Sequence, residues 1–165
     1  IAQTGTGKTL AFMLPILQEL KFSKQIPPRV LILVPTRELV TQMVETINAL
    51  TAYMNVRVLG VFGGVNMNKQ RQSVELGTDI LVATPGRLYD LCVTRAIKLR
   101  EVKKLVIDEV DVMLDLGFRP QLTNIFELLP ERRQNCLNGL RWTGKQARPR
   151  SSRWTTLCSC GDQTN

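Results

Sequence analysis

Short, almost unbroken aliphatic runs recur along this chain: Val30 to Val34, Val56 to Val61, Ile80 to Ala83 and Leu105 to Ile107. Such runs, rich in β-branched residues and free of polar alternation, predict strands covered on both faces. Between them the apolar positions take a helical period, which predicts helices over Lys8 to about Leu20, Glu38 to about Ala52, Asn68 to Leu76, Arg87 to Ala96 and Gln121 to Leu129. In the second of these, Leu39, Met43, Ile47 and Leu50 mark the apolar stripe. Pro15 falls inside the first and is expected to kink or shorten it, because it removes a backbone donor and crowds the preceding turn. Strand and helix alternating at this spacing argue for an α/β fold with a parallel sheet and right-handed crossovers.

From Cys136 onward this grammar stops. Residues 136–165 hold both tryptophans, many Arg, Ser and Thr, and no run of four apolar residues. Two readings stay open: a disordered tail, or a change of reading frame after Asn135. The chain therefore divides into a patterned part, residues 1–135, and an irregular C-terminal tail, residues 136–165.

Charge sharpens that division. The net charge is +8, and residues 1–135 carry 17 Lys and Arg against 13 Asp and Glu, so half the excess lies in the tail. The patterned part is only mildly basic, a weak pointer to a polyanion partner. No stretch of eighteen apolar residues is present, which excludes a membrane-spanning helix, and no basic-then-apolar leader opens the chain. The chain contains no His, and its four cysteines, Cys92, Cys136, Cys158 and Cys160, make a poor zinc pattern. They read as free thiols of a reducing, cytoplasmic compartment.

Candidate chemistry begins at the N-terminus. Ala2-Gln3-Thr4-Gly5-Thr6-Gly7-Lys8-Thr9 fits a phosphate-binding loop, with Ala2 where a first Gly usually stands. Gly5 and Gly7 let the backbone turn sharply, so that successive N–H groups face phosphate oxygens. The helix that follows adds the positive end of its dipole. Lys8 supplies a mobile ammonium for the β- and γ-phosphates, and the Thr9 hydroxyl is a Mg²⁺ ligand.

A second element completes it. Leu105-Val106-Ile107 runs into Asp108-Glu109-Val110-Asp111, so carboxylates stand at the C-terminal end of a strand, where open α/β sheets bind ligands. Asp108 would hold Mg²⁺ and Glu109 would position or deprotonate the attacking water. Acids after a strand are by themselves equally consistent with a solvated loop; the upstream phosphate loop tips the balance to ATP hydrolysis.

Together with Pro35-Thr36-Arg37-Glu38-Leu39, Gly63-Gly64 and Thr84-Pro85-Gly86-Arg87, these two segments stand in the order and spacing of the motifs of DEAD-box RNA helicases, which residues 1–135 resemble. The resemblance implies a RecA-like P-loop NTPase domain, incomplete here, with ATP and Mg²⁺ as cofactors. It implies RNA-stimulated ATP hydrolysis coupled to local unwinding of RNA. It also implies that Pro35, Thr36, Arg37, Gly64, Thr84, Pro85, Gly86 and Arg87 line the path of single-stranded RNA. The local pattern agrees: hydroxyl, guanidinium and helix N-terminal amides following a strand suit phosphates. Contacts of that kind read backbone, so little base specificity is expected. Thr84 with Pro85 also reads as an N-cap and first residue of a helix, and the two roles coexist. Arg37 has an alternative use as an ion-pair partner of Glu38 or another acid.

The chain departs from the family pattern in several places. Val110 stands where Ala is usual, a change of two methyl groups expected to be tolerated. The strand feeding the phosphate loop and the adenine-recognition segment are not in the sequence. Residues 136–141 read Cys-Leu-Asn-Gly-Leu-Arg where a Ser-Ala-Thr element is expected. The second RecA-like domain, with its arginine finger, is likewise outside this chain. An alternative is therefore a module that holds nucleotide or RNA without turnover.

Overall fold

The computed structural model describes residues 6–20 and 23–137, with side chains from Thr9 onward. The elements run α1 (Thr6–Glu19), β1 (Val30–Leu33), α2 (Arg37–Leu50), β2 (Val58–Val61), α3 (Met67–Glu75), β3 (Ile80–Ala83), α4 (Pro85–Val93), β4 (Lys104–Ile107), α5 (Val110–Asp115), α6 (Arg119–Leu128) and β5 (Gln134–Leu137). All strand pairings are parallel, in the order β2-β3-β1-β4-β5.

Every aliphatic run lies where the pattern predicts a strand, and the physical reason is visible in β1. Leu31 and Leu33 face one layer, with α4, α6 and Met113 of α5; Val30 and Ile32 face the other, with α1 and α2. Both faces are covered, so no position along the strand favours a polar residue. In α2 the buried stripe is Val40, Met43 and Ile47, with Leu39 and Leu50 at its half-buried flanks. The predicted stripe is thus rotated slightly, to seat Val40 against β2. There Gly60 leaves the necessary room: a Cβ on it would stand 2.9 Å from Val40 Cγ1 and 3.0 Å from Val44 Cγ2.

Three features differ from the sequence pattern. Helix α1 continues through Pro15 to Glu19. Ala11 and Pro15 are both exposed, so the bond Pro15 forgoes lies on the solvent side of the helix. The short α5 follows Glu109 directly, too brief for its period to be recognised. Strand β5 crosses the boundary set after Asn135: Cys136 pairs with Val106 and Leu137 with Ile107. Parallel pairing to a strand already in place is made by backbone groups and does not need a β-branched run. The remainder of the tail, from Asn138, lies outside the described residues.

At the amino ends of the strands a buried acid ties three of them together. Asp79 precedes β3; its side chain accepts from Arg29 Nη2 at 2.9 Å, and from Arg57 Nε and the Arg57 backbone N–H at 3.0 Å each. Burial raises the pKa of Asp79, but hydrogen bonds from Arg57 and Arg29 outweigh it and hold the carboxyl below its ordinary 3.8. This clamp sits at the end of the sheet opposite the candidate chemistry.

Candidate nucleotide and nucleic-acid site

The carboxyl ends of the strands collect the motif residues. The ladder's last bonds run from Val34 N–H to Ala83 O, Thr84 N–H to Val61 O, and Asp108 N–H to Leu33 O at 3.0 Å. These bonds bring Pro35, Thr84 and Asp108, which are far apart in sequence, to one rim.

Helix α1 opens at the same rim. Its last residue, Glu19, pairs with Lys104 Nζ at 2.6 Å, at the amino end of β4. Met13, Ile16 and Leu17 pack on Val30, Ile32 and Val106. The helix therefore runs against the strands, and fourteen residues at about 1.5 Å each carry its start back to the carboxyl edge. Of the predicted phosphate loop, Ala2, Gln3, Thr4 and Gly5 lie outside the described residues, as do the side chains of Thr6 and Lys8; the backbone of Thr6, Gly7 and Lys8 is the first turn of α1.

Asp108 is half-buried at the rim, and its Oδ1 accepts from the Glu109 N–H at 3.0 Å. Glu109 is left-handed, φ 54° and ψ 49°, a conformation unusual for a residue with a Cβ. It turns the chain from β4 straight into α5 and leaves the Glu109 side chain half-buried beside Asp108. Val110 is buried in the core, which accommodates the methyl groups added relative to Ala.

The donor set suits Mg²⁺. Among the described residues no three His, Cys, Asp or Glu gather as a metal cage. Mg²⁺ rarely uses such a cage; it is held through one or two protein oxygens, with phosphate oxygens and waters completing the shell. Asp108 at the rim and the half-buried Thr9 near the start of α1 fit that role.

The remaining motif residues form a connected surface. Thr36 caps α2, its Oγ1 accepting from the Leu39 N–H at 3.3 Å. Thr84 occupies the N-cap position of α4 with Pro85 in the first turn, yet its side chain makes no capping bond. Arg37 is exposed and lies over the ring of Phe62, 5.2 Å from its centroid; it makes no ion pair among the described residues. Gly63 and Gly64 are exposed, and Gly64 adopts φ 79°, which favours a residue without Cβ. Arg87 donates from Nη1 and Nη2 to Val65 O, both at 3.0 Å, and from Nη1 to Gln70 Oε1 at 2.7 Å. Thr36, Arg37, Gly64, Gly86 and Arg87 thus present a surface, while Pro35, Thr84 and Pro85 are buried beneath it.

Two residues of this network escape the motif reading. Phe62 could have been noticed as an aromatic directly before Gly63-Gly64. Gln70 stands one helical turn before Val74 on the buried side of α3, and a polar side chain at an apolar phase is a recognisable signal. A groove of about 380 Å³ between α1, β4 and β5, lined by Phe12, Pro15, Leu105 and Cys136 among others, is apolar and lies under the helix, apart from this rim.

Residues 1–138 match the sequence model of the DEAD/DEAH box helicase family. The chain belongs to that family. Its similarity to DEAD-box ATP-dependent RNA helicase 14 of Arabidopsis thaliana is 40% identity over 145 residues, 86% of this chain and 23% of that protein. To the DEAD-box ATP-dependent RNA helicase CshA of Streptococcus pneumoniae it is 40% identical over 136 residues, 82% of this chain and 26% of that protein. The crystal structure of the yeast DEAD-box splicing factor Prp28 superposes with a TM-score of 0.76 at 37% identity, covering 84% of this chain and 35% of that one. The DEAD-box fold is thus an α/β, RecA-like one here too, and the chain spans about a quarter of the length of these curated relatives. No helix among the described residues is long and apolar enough to cross a membrane.

Proposed function

We propose that residues 1–135 are the ATP-binding part of an RNA helicase, which hydrolyses ATP in an RNA-stimulated way and uses the cycle to separate short RNA duplexes. The observation that carries this reading is convergence: the start of α1, Asp108-Glu109 and the loops bearing Arg37, Gly64 and Arg87 share the carboxyl rim of one parallel sheet. Backbone amides of residues 2–9 would cradle the phosphates, with Lys8 on the β- and γ-oxygens. Mg²⁺, held through Asp108 and Thr9, would neutralise phosphate charge. Glu109 would orient the attacking water and take its proton.

On the other side of the rim, Arg37 and Arg87 would meet RNA phosphates, Thr36 and Gly86 would add hydroxyl and amide donors, and Gly64 would let the backbone approach closely. Pro35, Thr84 and Pro85 shape these loops. Family membership favours this helicase role over a binding module without turnover. The test is phosphate release by a two-domain version of the enzyme, with and without single-stranded RNA, together with displacement of a short duplex strand. Hydrolysis indifferent to RNA would overturn the RNA half of the reading; no nucleotide binding would overturn the other.

A further inference from the structure

We infer that Gln70 is a positioning residue that aims Arg87 at RNA phosphate and ties its loop to the strand end beneath Arg37. The inference rests on the RNA-binding reading of Arg87 given above.

Gln70 is 8% exposed, an uncommon place for an amide in a surface helix. Both ends of that amide are used: Nε2 donates to Phe62 O at 3.2 Å, and Oε1 accepts from Arg87 Nη1 at 2.7 Å. The amide carries donor and acceptor together on one planar group; an ionised Glu would lose the bond to Phe62, and Lys the bond from Arg87. Phe62 is the residue whose ring lies under Arg37. One buried side chain therefore joins the turn leading to Gly63-Gly64, the aromatic support of Arg37, and the guanidinium of Arg87.

The directions of the bonds matter as much as their number. Arg87 spends its end-on edge on Val65 O, through Nη1 and Nη2, and its other Nη1 hydrogen on Gln70. Nε–H and one Nη2–H make no hydrogen bond among the described residues. These two hydrogens point the same way along one edge of the planar group, the parallel fork that matches two oxygens of a phosphate. Without Gln70 the guanidinium would keep its charge but could rotate about the Val65 contact and lose that aim.

The test is binding of the full chain to a fluorescein-labelled single-stranded oligo(U) RNA across a salt series, for Gln70→Leu, Arg87→Ala, the double variant and Gln70→Glu, with thermal unfolding recorded for each. Arg87→Ala should weaken binding and lower the slope of log K against log salt by about 0.7, as for one lost phosphate contact. Gln70→Leu should weaken binding by roughly threefold to tenfold, as for a loosened charge-assisted contact, and should add no further loss in the Arg87→Ala background. Gln70→Glu, which still accepts from Arg87 and serves if the Leu variant does not fold, should lower both affinity and slope, because its carboxylate neutralises Arg87. Gln70→Leu at unaltered affinity, losses that simply add, or Gln70→Glu with unchanged affinity and slope would overturn the positioning role while leaving the RNA reading intact. Arg87→Ala with unaltered affinity would overturn the RNA reading and this inference with it.

Discussion

Asp108 Oδ1 accepts the backbone N–H of Glu109 at 3.0 Å, and Glu109 itself holds a left-handed backbone at φ 54°. Adjacent carboxylates would ordinarily point to opposite sides of an extended strand. Here β4 has ended at Ile107, and the left-handed Glu109 turns the chain into α5, which keeps both at the rim. A conformation of this kind costs on the order of 1–3 kcal/mol at a residue with a Cβ, and such strain concentrates at functional sites. The division of roles proposed for them, Asp108 for the metal and Glu109 for water, is directly testable.

In a two-domain version of the enzyme, Glu109→Gln should leave ATP and RNA affinity close to unaltered. Hydrolysis should slow by roughly two or more orders of magnitude, as expected for loss of a general base. Equilibrium titrations and single-turnover phosphate release separate the two quantities. Turnover at the original rate would assign the water to another residue.

Lys8→Ala should remove most of the affinity for MgATP. Lys8 is the sole Lys or Arg within residues 1–20, so no nearby cation replaces it in the loop. Titration with a fluorescent ATP analogue measures the change, and an unchanged dissociation constant would refute the phosphate-loop assignment.

Asp79 should make stability depend on acid pH in a defined direction. Its folded pKa lies below the ordinary 3.8, so its contribution is fully present above that value and is lost as pH falls through the lower folded pKa. The difference in unfolding free energy between the unaltered chain and Asp79→Asn should therefore be flat above about pH 5 and shrink on acidification below 3.8. Asp79→Ala removes the shared acceptor of Arg29 and Arg57 and should cost about 3 kcal/mol, the low end for breaking a buried pair. Denaturant melts over a pH series test both statements; a difference that grows on acidification would show the opposite sign of linkage.

Gly60→Val should destabilise the domain by about 1–3 kcal/mol, because stiff β-branched side chains of Val40 and Val44 already stand at 2.9 and 3.0 Å from where its Cβ would go. A urea midpoint lowered at unchanged slope would report this overpacking. A midpoint equal to that of the unaltered chain would mean α2 can shift away from β2 without loss.

Burial pushes the Cys92 thiol up to about 12. In the folded chain it should resist iodoacetamide at pH 8, where its thiolate is scarce, and react on unfolding. Peptide mapping by mass spectrometry distinguishes it from the other cysteines. Fast alkylation of Cys92 under native conditions would place it at an accessible surface instead.

Much of the architecture is legible in the linear pattern because it depends on neighbours a few residues apart. The runs around Ile32, Val82 and Val106 announce strands, since each alternates between two apolar layers. The Gly5-Thr6-Gly7-Lys8-Thr9 pattern is local in the same way, since in the proposed phosphate loop backbone and side chain would act within one turn. The motif order announces the family. Strand order is different: β1 lies between β3 and β4 only because both its edges are paired, and no local spacing encodes that. The same holds for Asp79 meeting Arg29 across fifty positions and for Gln70 meeting Arg87 across seventeen. Hydrophobic period records how a residue sits on its own helix or strand. Which distant hydrogen-bonding group completes a buried Gln or Asp is decided only when the sheet assembles and every such group must find a partner.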